Sequence, residues 1–413
     1  MKKVHHISVV GGGIGGLAAA TALAQHGARV TVFEQAEVIR EVGAGIQVSP
    51  NGLCVLRALG LEDAVTQFSS QGRRVSLRRA ESDFEVAHLD LTLLLKTQQY
   101  HFVHRADLIE ILLQAALSAG VDVKLNKKVR AIVPGGPAQI HFDDGQDIAS
   151  DLVIDASGLH SRLRATLNGQ NEPFFTGQTA WRALIPNTEG RVDDVQVHMA
   201  PRRHIVSYPL QGGKFINLVA VQERTAWQGE GWSQRDDPDN VRAAFEGGSS
   251  KVTAMLDHVD EVHLWGLFRH PVAETWVAEN CALLGDAAHP TLPFLAQGAN
   301  MALEDAWALC KLVQVDDLQI GLARYEALRQ PRVRKVIAAA NSNAWRYHLP
   351  RGPVRLAAHV ALGLGSRIAP RVMLKQFDWL YGYDITTLFD VNLRFRPARS
   401  LAILCVVDEP EKG

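Results

Sequence analysis

Cysteine is scarce: Cys54, Cys281, Cys310 and Cys405 are the only four in 413 residues, and they form no CxxC pair or other metal-ligand spacing. A disulfide-stapled fold and a cysteine-built metal centre are therefore excluded, no metal is expected, and a reduced, cytoplasmic setting fits. An excess of one charge is also missing. Forty-three Lys and Arg against 44 Asp and Glu leave a formal charge of −1, so no net field calls for nucleic acid or an anionic membrane. Long hydrophobic runs are absent too. The most apolar late stretch, residues 356–365, contains His359 between Arg355 and Arg367, and falls short of the roughly 20 residues a membrane span needs. It reads as a buried helix, and no stable membrane insertion is expected. The apolar run after Lys2 and Lys3 is broken by glycines within a few residues, unlike a signal peptide. No internal repeat or low-complexity tract is evident. What remains, 47% hydrophobic and 21% charged residues, is an ordinary globular composition, long enough for two domains or one large interlaced one.

Glycine, by contrast, is concentrated at two points. Gly11-Gly12-Gly13-Ile14-Gly15-Gly16 follows an apolar strand, residues 6–10, and opens an alanine-rich helix from Leu17. Gly11 permits the tight turn, Gly13 lets the backbone approach a pyrophosphate at the helix N-terminus, and Gly16 lets helix and strand pack closely. The next strand, residues 29–33, ends in Glu34, at the spacing of a carboxylate that accepts hydrogen bonds from a ribose diol. The second point is Gly285-Asp286-Ala287-Ala288-His289-Pro290. Asp286, at the end of a strand over 281–284, is suited to accept hydrogen bonds from ribityl hydroxyls. Gly298-Ala299-Asn300 begin a helix whose N-terminal half-charge stabilises negative charge on a reduced flavin. The two motifs together point to one cofactor, FAD; His289 reads as structural.

Between them, residues 105–119 carry one apolar stripe of helical period, whereas 178–265 alternate in the manner of strands, with no helix expected. A glycine-containing loop over 40–51 suggests close backbone approach to a flat ligand. Helices are expected from about 298–313, 320–340 and onward to about 389.

The order of these motifs resembles the single-component FAD-dependent aromatic hydroxylases, the flavoprotein monooxygenases typified by p-hydroxybenzoate and salicylate hydroxylases. The likeness spans nearly the whole chain. It rests on the N-terminal glycines with Glu34, Gly43-Ala44-Gly45-Ile46, Arg105, Asp155 to Arg164, Trp181-Arg182-Ala183-Leu184-Ile185-Pro186, Gly285 to Pro290 with Pro293 and Ala296 to Asn300, Glu304-Asp305-Ala306, and Asp378 to Asp384. It implies an α/β fold: a Rossmann-like FAD-binding domain (1–72, 98–175 and 270–340) interlaced with a mostly antiparallel substrate sheet (73–97 and 176–269), plus a C-terminal helical region (341–413). FAD contacts are then expected at Gly11, Gly13, Ile14, Gly15, Gly16, Glu34, Gln35, Gly45, Ile46, Arg105, Val129, Asp286, Gly298, Ala299 and Asn300. Substrate contacts are expected at Gln47, Trp181, Arg182, Pro293 and Phe294.

The resemblance also implies the chemistry. NADH or NADPH binds transiently and reduces noncovalent FAD, O2 adds at flavin C4a, and the hydroperoxide passes its distal hydroxyl to an electron-rich ring. His204 and Tyr208, four apart on one strand, project to the same face, and either could take a proton from a substrate hydroxyl. One departure stands out: Ser157 precedes Gly158 where relatives usually have an acid that assists nicotinamide binding, and Asp155, two residues upstream, is a partial substitute. The expected substrate is a small aromatic or heteroaromatic molecule, a phenolic acid or hydroxylated N-heterocycle, and the protein a monomer or homodimer. Two alternatives stay open: oxygenation or epoxidation of a larger polycyclic or alkene substrate, and a flavin-binding protein with little turnover. A flavin halogenase is disfavoured because residues 181–186 lack the second tryptophan of that group's Trp-x-Trp-x-Ile-Pro element.

Overall fold

The strand His6–Val10 lies inside a six-stranded sheet with both its faces covered: Ile7, Val9 and Val10 are buried, and the buried Ser8 hydroxyl is paired with that of Ser150. It pairs in parallel with Arg29–Phe33 and Leu152–Asp155; Asp122–Lys124 and Cys281–Leu283 extend the sheet in parallel, and Val277–Ala278 closes one edge antiparallel. The computed structural model describes residues 6–39, 45–170, 172–227, 234–315, 317–350 and 352–390, apart from the side chains of 343–346 and 390. Gly43, Ala44 and Cys405 lie outside the described residues.

Helix Ile14–Gln25 packs against Arg105–Ser118 and Gly298–Val315, and almost every side chain along it is buried. Its small residues make this possible, since the alanines at 18–20 and 22 let two helices and the sheet approach closely. The same apolar core takes in Leu108, Leu112, Ile154, Leu283 and Leu309.

An eight-stranded sheet carries the second core. Its order is Arg235–Asp236, Val262–Arg269, Phe174–Pro186, Phe215–Glu223, Arg203–Leu210, Asp194–Ala200, Arg74–Arg79 and Glu85–Asp90. All pairs are antiparallel except Asp194–Ala200 with Arg74–Arg79. The fold is thus α/β, with a parallel Rossmann-like sheet joined to a largely antiparallel one.

Two expectations need correction. The region 178–265 is not strand-only, because helices Pro238–Ala244 and Ser250–Asp257 cover one face of the large sheet. Asp237, whose side chain accepts from Asp239 N, and Pro238 at the first turn form a start signal, as does Ser249 accepting from Val252 N. The late apolar helix, Pro353–Ile368, is not buried by its apolar residues: Leu356, Val360 and Leu364 are 57%, 52% and 53% exposed, while Arg355, His359, Gly363 and Ser366 face inward. The polar face points in because Arg355 ion-pairs with Glu81 at 2.9 Å, Arg79 Nε donates to His359 Nδ1, and Gly363 lies against the Val86 carbonyl.

Candidate active site

A cavity of about 780 Å³ runs from the first glycine turn, between the two sheets, to the end of helix Leu318–Tyr347. One end is formed by Gly11, Gly13, Ile14, Gly15, Glu34, Gln35 and Val129. Gly11 adopts φ +105°, and a Cβ there would lie 2.6 Å from the Ala156 carbonyl oxygen; at Gly16 it would lie 2.1 Å from that of Gly11. Gly16 therefore packs helix on turn and does not line the cavity, whereas a Cβ on Gly13 would meet nothing within 4 Å. Glu34 ties the two strand ends together, accepting from Gly12 N at 2.7 Å and Ala36 N at 2.9 Å.

Midway, Arg105, Asp286, Gly298 and Ala299 line the wall. Asp286 lines the inner wall of the cavity and is solvent-accessible through it, and among the described residues no donor is paired with its carboxylate. Burial raises that carboxyl above its usual range, opposed by the charges of His289, Arg105 and His270. Its neighbour in sequence behaves differently. His289 is fully buried and bonds through Nε2 to Asp305 at 2.5 Å; Asp305 also accepts from Arg329 Nε at 2.7 Å and Gly285 N at 3.2 Å. These contacts fix the middle of helix Gly298–Val315 against the Gly285 turn, and the cations beside Asp305 hold its carboxyl below the usual range despite burial. Arg164 locks the same turn by donating to the carbonyls of Ala287 and Ala288 and to that of Pro271.

Asn300 does not line the cavity. Its side chain pins the segment before helix Pro50–Ala58, accepting from Ser49 N and donating to Gln47 O and Ala296 O. Asp155 is equally committed: it accepts from Ser157 N and Oγ, Ser161 Oγ and Leu163 N, all within 3.1 Å. Full use within its own loop leaves Asp155 unable to substitute for an acid at position 157, and Ser157 itself donates its hydroxyl inward.

The far end is aromatic. His204, Val206 and Tyr208 alternate into the cavity from Arg203–Leu210, facing Pro293 and Phe294, with Gln47, Tyr100 and Tyr381 on the remaining wall. Tyr100 donates to Gln47 Oε1 at 2.6 Å. Gly45 and Ile46 also line the space, but the close approach at Gly45 is to protein: a Cβ there would come within 2.7 Å of the Tyr208 ring and 3.0 Å of Asn217, whose Oδ1 accepts from Gly45 N. Burial pushes the Tyr208 phenol above its usual range, opposed by Arg182, so it stays protonated at neutral pH. Burial, and then His348, hold the His204 imidazole well below its ordinary value.

Arg182 faces the cavity and stacks on Trp265 at 4.8 Å. Trp181 does not face it. Successive residues of a strand point to opposite faces, so Trp181 enters the core under Val241, Phe245 and Leu256 and donates to Asp236 at 2.6 Å. Sequence reasoning also missed residues. Tyr347 and His348 reach the cavity region at the end of a helix expected to stop near 340, and only its unbroken continuation to Tyr347 brings them there. Among the described residues no cluster is arranged to hold a metal ion, and no helix is long and apolar enough to cross a membrane.

Residues 4–340 match the protein family described as FAD binding domain. The chain is 34% identical over 389 residues to 3-amino-4-hydroxybenzoate 2-monooxygenase PtmB3 of Streptomyces platensis, covering 92% of this chain and 96% of that protein. It is 32% identical to 3-hydroxybenzoate 6-hydroxylase of Klebsiella oxytoca, covering 93% and 98%. Among solved structures, Klebsiella pneumoniae HpxO complexed with FAD and uric acid superposes with a TM-score of 0.80 at 27% identity, covering 92% of this chain and 98% of that one.

Proposed function

The chain belongs to the FAD-binding-domain family of flavoprotein aromatic hydroxylases, and from that premise we propose that it hydroxylates a small phenolic acid or hydroxylated N-heterocycle at the aromatic end of its cavity. It is an FAD-dependent monooxygenase. When bound and reduced by NADH or NADPH, FAD supplies the electrons that activate O2, one oxygen atom going to the ring and the other to water.

The residues present fit that cofactor. Gly11, Gly13 and Glu34 would hold its adenosine and pyrophosphate end, where a Cβ at Gly11 would already collide with backbone. Asp286, a cavity-facing carboxylate with no protein donor among the described residues, would take the ribityl hydroxyls. The first turn of Gly298–Val315 would meet the flavin with its backbone N–H groups. In this reading the parallel-sheet unit carries the cofactor and the antiparallel sheet the substrate.

The observation that carries the substrate reading is the pairing of His204 and Tyr208 on the cavity face of one strand, with Arg182 on the same sheet wall. Arg182 supplies a cation for a ring carboxylate. His204, held neutral, has a lone pair for the proton of a ring hydroxyl, and Tyr208, held protonated, orients that oxygen. Deprotonation matters because a phenolate is far more nucleophilic than a phenol, and such assistance is typically worth about 10²–10⁴-fold. Phe294, Val206 and Tyr381 exclude water around the reacting ring. The relatives' own substrates supply the test panel. NAD(P)H loss and peroxide should be followed together with 3-amino-4-hydroxybenzoate, 3-hydroxybenzoate and 6-hydroxynicotinate. A productive ligand accelerates NAD(P)H loss without a matching rise in peroxide; equal peroxide and NAD(P)H for every small phenol refutes the substrate class.

A further inference from the structure

His204 ends in more than a pocket wall. Its Nδ1 lies 2.7 Å from Nε2 of His348, and Nδ1 of His348 lies 2.8 Å from Oε1 of Glu223. His204 and His348 are both buried, while the Glu223 side chain is 30% exposed. Two histidines and a carboxylate thus form a continuous hydrogen-bonded line from the cavity to solvent.

The acceptor at the outer end fixes every proton along the line. An ionised carboxylate only accepts, so His348 donates from Nδ1 and its Nε2 carries a lone pair. His204 must then donate from Nδ1, which leaves its Nε2 unprotonated. The arrangement thereby sets the base-competent tautomer on the imidazole that lines the cavity.

We infer that His204, His348 and Glu223 form a proton exit for the hydroxyl of the bound substrate, an inference that rests on the phenolic reading of the pocket. The substrate O–H proton passes to His204 Nε2, the His204 Nδ1 proton to His348 Nε2, and the His348 Nδ1 proton to Glu223 Oε1, from which it leaves to water. Charge balances at each stage: the substrate becomes a phenolate, Glu223 is transiently neutral, and neither imidazole keeps a net charge. The exit answers a physical difficulty, since an imidazolium at a site buried as deeply as His204 is unfavourable, and His348 beside it makes a second positive charge worse. Among the described residues, few groups face the line. Tyr208 shares the strand with His204, Tyr347 packs against its ring at 5.2 Å, and Arg182 stands two strands away in register with Val206. Arg202, 67% exposed, pairs with the other Glu223 oxygen at 2.9 Å. His348 and Glu223 act through His204 and are positioning residues.

The test uses the full chain loaded with FAD, mixed by stopped flow with 3-hydroxybenzoate, 3-amino-4-hydroxybenzoate or 6-hydroxynicotinate in weak buffer containing a pH indicator. Proton release and phenolate absorbance should rise together in the wild type. Glu223→Gln keeps the hydrogen bond from His348 but cannot take its proton, so it should slow release at least about tenfold, within the range general acid–base assistance spans, while ligand Kd and anaerobic flavin reduction are unchanged. His348→Ala should slow it similarly, and added imidazole should restore the rate. Unchanged release in both variants, or a slowing that imidazole and concentrated buffer fail to relieve, overturns the exit. A wild type that binds none of the three ligands overturns the phenolic reading, and the exit with it; binding without any effect of the variants overturns the exit alone.

Discussion

Asp286 and Asp305 are both carboxylates near the same turn, the first open to the cavity and the second buried, and removing them should have opposite consequences. Asp305 is fully paired within the protein; Asp286 opens onto the cavity with no protein donor among the described residues. Asp286→Ala therefore removes the proposed cofactor acceptor and no hydrogen bond among the described residues. A hydrogen bond to a charged group contributes about 1.5–3 kcal/mol, which predicts FAD binding weaker by about 10- to 150-fold. The linkage to stability follows. At free FAD of about 100 times the wild-type Kd, bound cofactor stabilises by about 2.7 kcal/mol; a variant about 30-fold weaker keeps only about 0.9 kcal/mol at the same concentration. The cofactor-free protein should melt no lower than wild type, because the carboxylate removed has no hydrogen-bond donor among the described residues. Flavin fluorescence titration gives the Kd, and thermal melts with and without FAD give the stabilities. Wild-type Kd in Asp286→Ala, or a cofactor-free melt lowered as far as that of Asp305→Asn, would refute this division of roles. For Asp305→Asn, breaking a buried ion pair typically costs about 3–5 kcal/mol whether or not FAD is present.

Three further outcomes follow from the geometry. Gly45→Ala should displace Tyr208, because its Cβ would lie 2.7 Å from that ring; peroxide should rise at the expense of hydroxylated product, with FAD content unchanged. Arg182→Met should raise KM for carboxylated ligands about tenfold or more, given about 1.5–3 kcal/mol for a charged hydrogen bond. Trp181→Phe should leave KM alone and lower only the melting temperature, so equal KM effects from both would count against the alternating assignment. Burial and the charges of Arg355 and Arg79 lower His359 to about 4 from an ordinary 6.5. Because the unfolded chain binds that proton first, stability is full above pH 6.5 and is lost as pH falls toward 4. The melting temperature of His359→Gln should therefore fall less steeply than wild type across that window, and parallel slopes would exclude His359 as a cause.

The parallel core and the glycine-turn end of the cavity were legible in the sequence because their signals are local. Gly11, Gly13, Gly16 and Glu34 sit on one strand–turn–helix–strand unit, and each needs only its own neighbours to be read. Period-2 alternation likewise marked the strand that carries His204 and Tyr208. It also held the information that Trp181 and Arg182 face opposite ways, which grouping them by motif obscured. The inward polar face of Pro353–Ile368 was not legible, since the partners that draw Arg355 and His359 inward, Glu81 and Arg79, lie some 280 residues away in the chain. His348 was hidden for the same reason: nothing near it in sequence says that a thirty-residue helix ends beside His204. The commitment of Asp155 to Ser157, Ser161 and Leu163 became visible only once the loop was folded around it.

The central claim is that this chain places one atom of O2 on a small phenolic ring. Turnover under ¹⁸O2 in ordinary water, with NADH or NADPH and whichever of 3-amino-4-hydroxybenzoate, 3-hydroxybenzoate or 6-hydroxynicotinate stimulates NAD(P)H loss, measures that directly by mass spectrometry of the product. The account predicts one ¹⁸O atom per product molecule and a product yield close to the NAD(P)H consumed. Unlabelled product, or peroxide accounting for all the NAD(P)H with no hydroxylated ring, would contradict it.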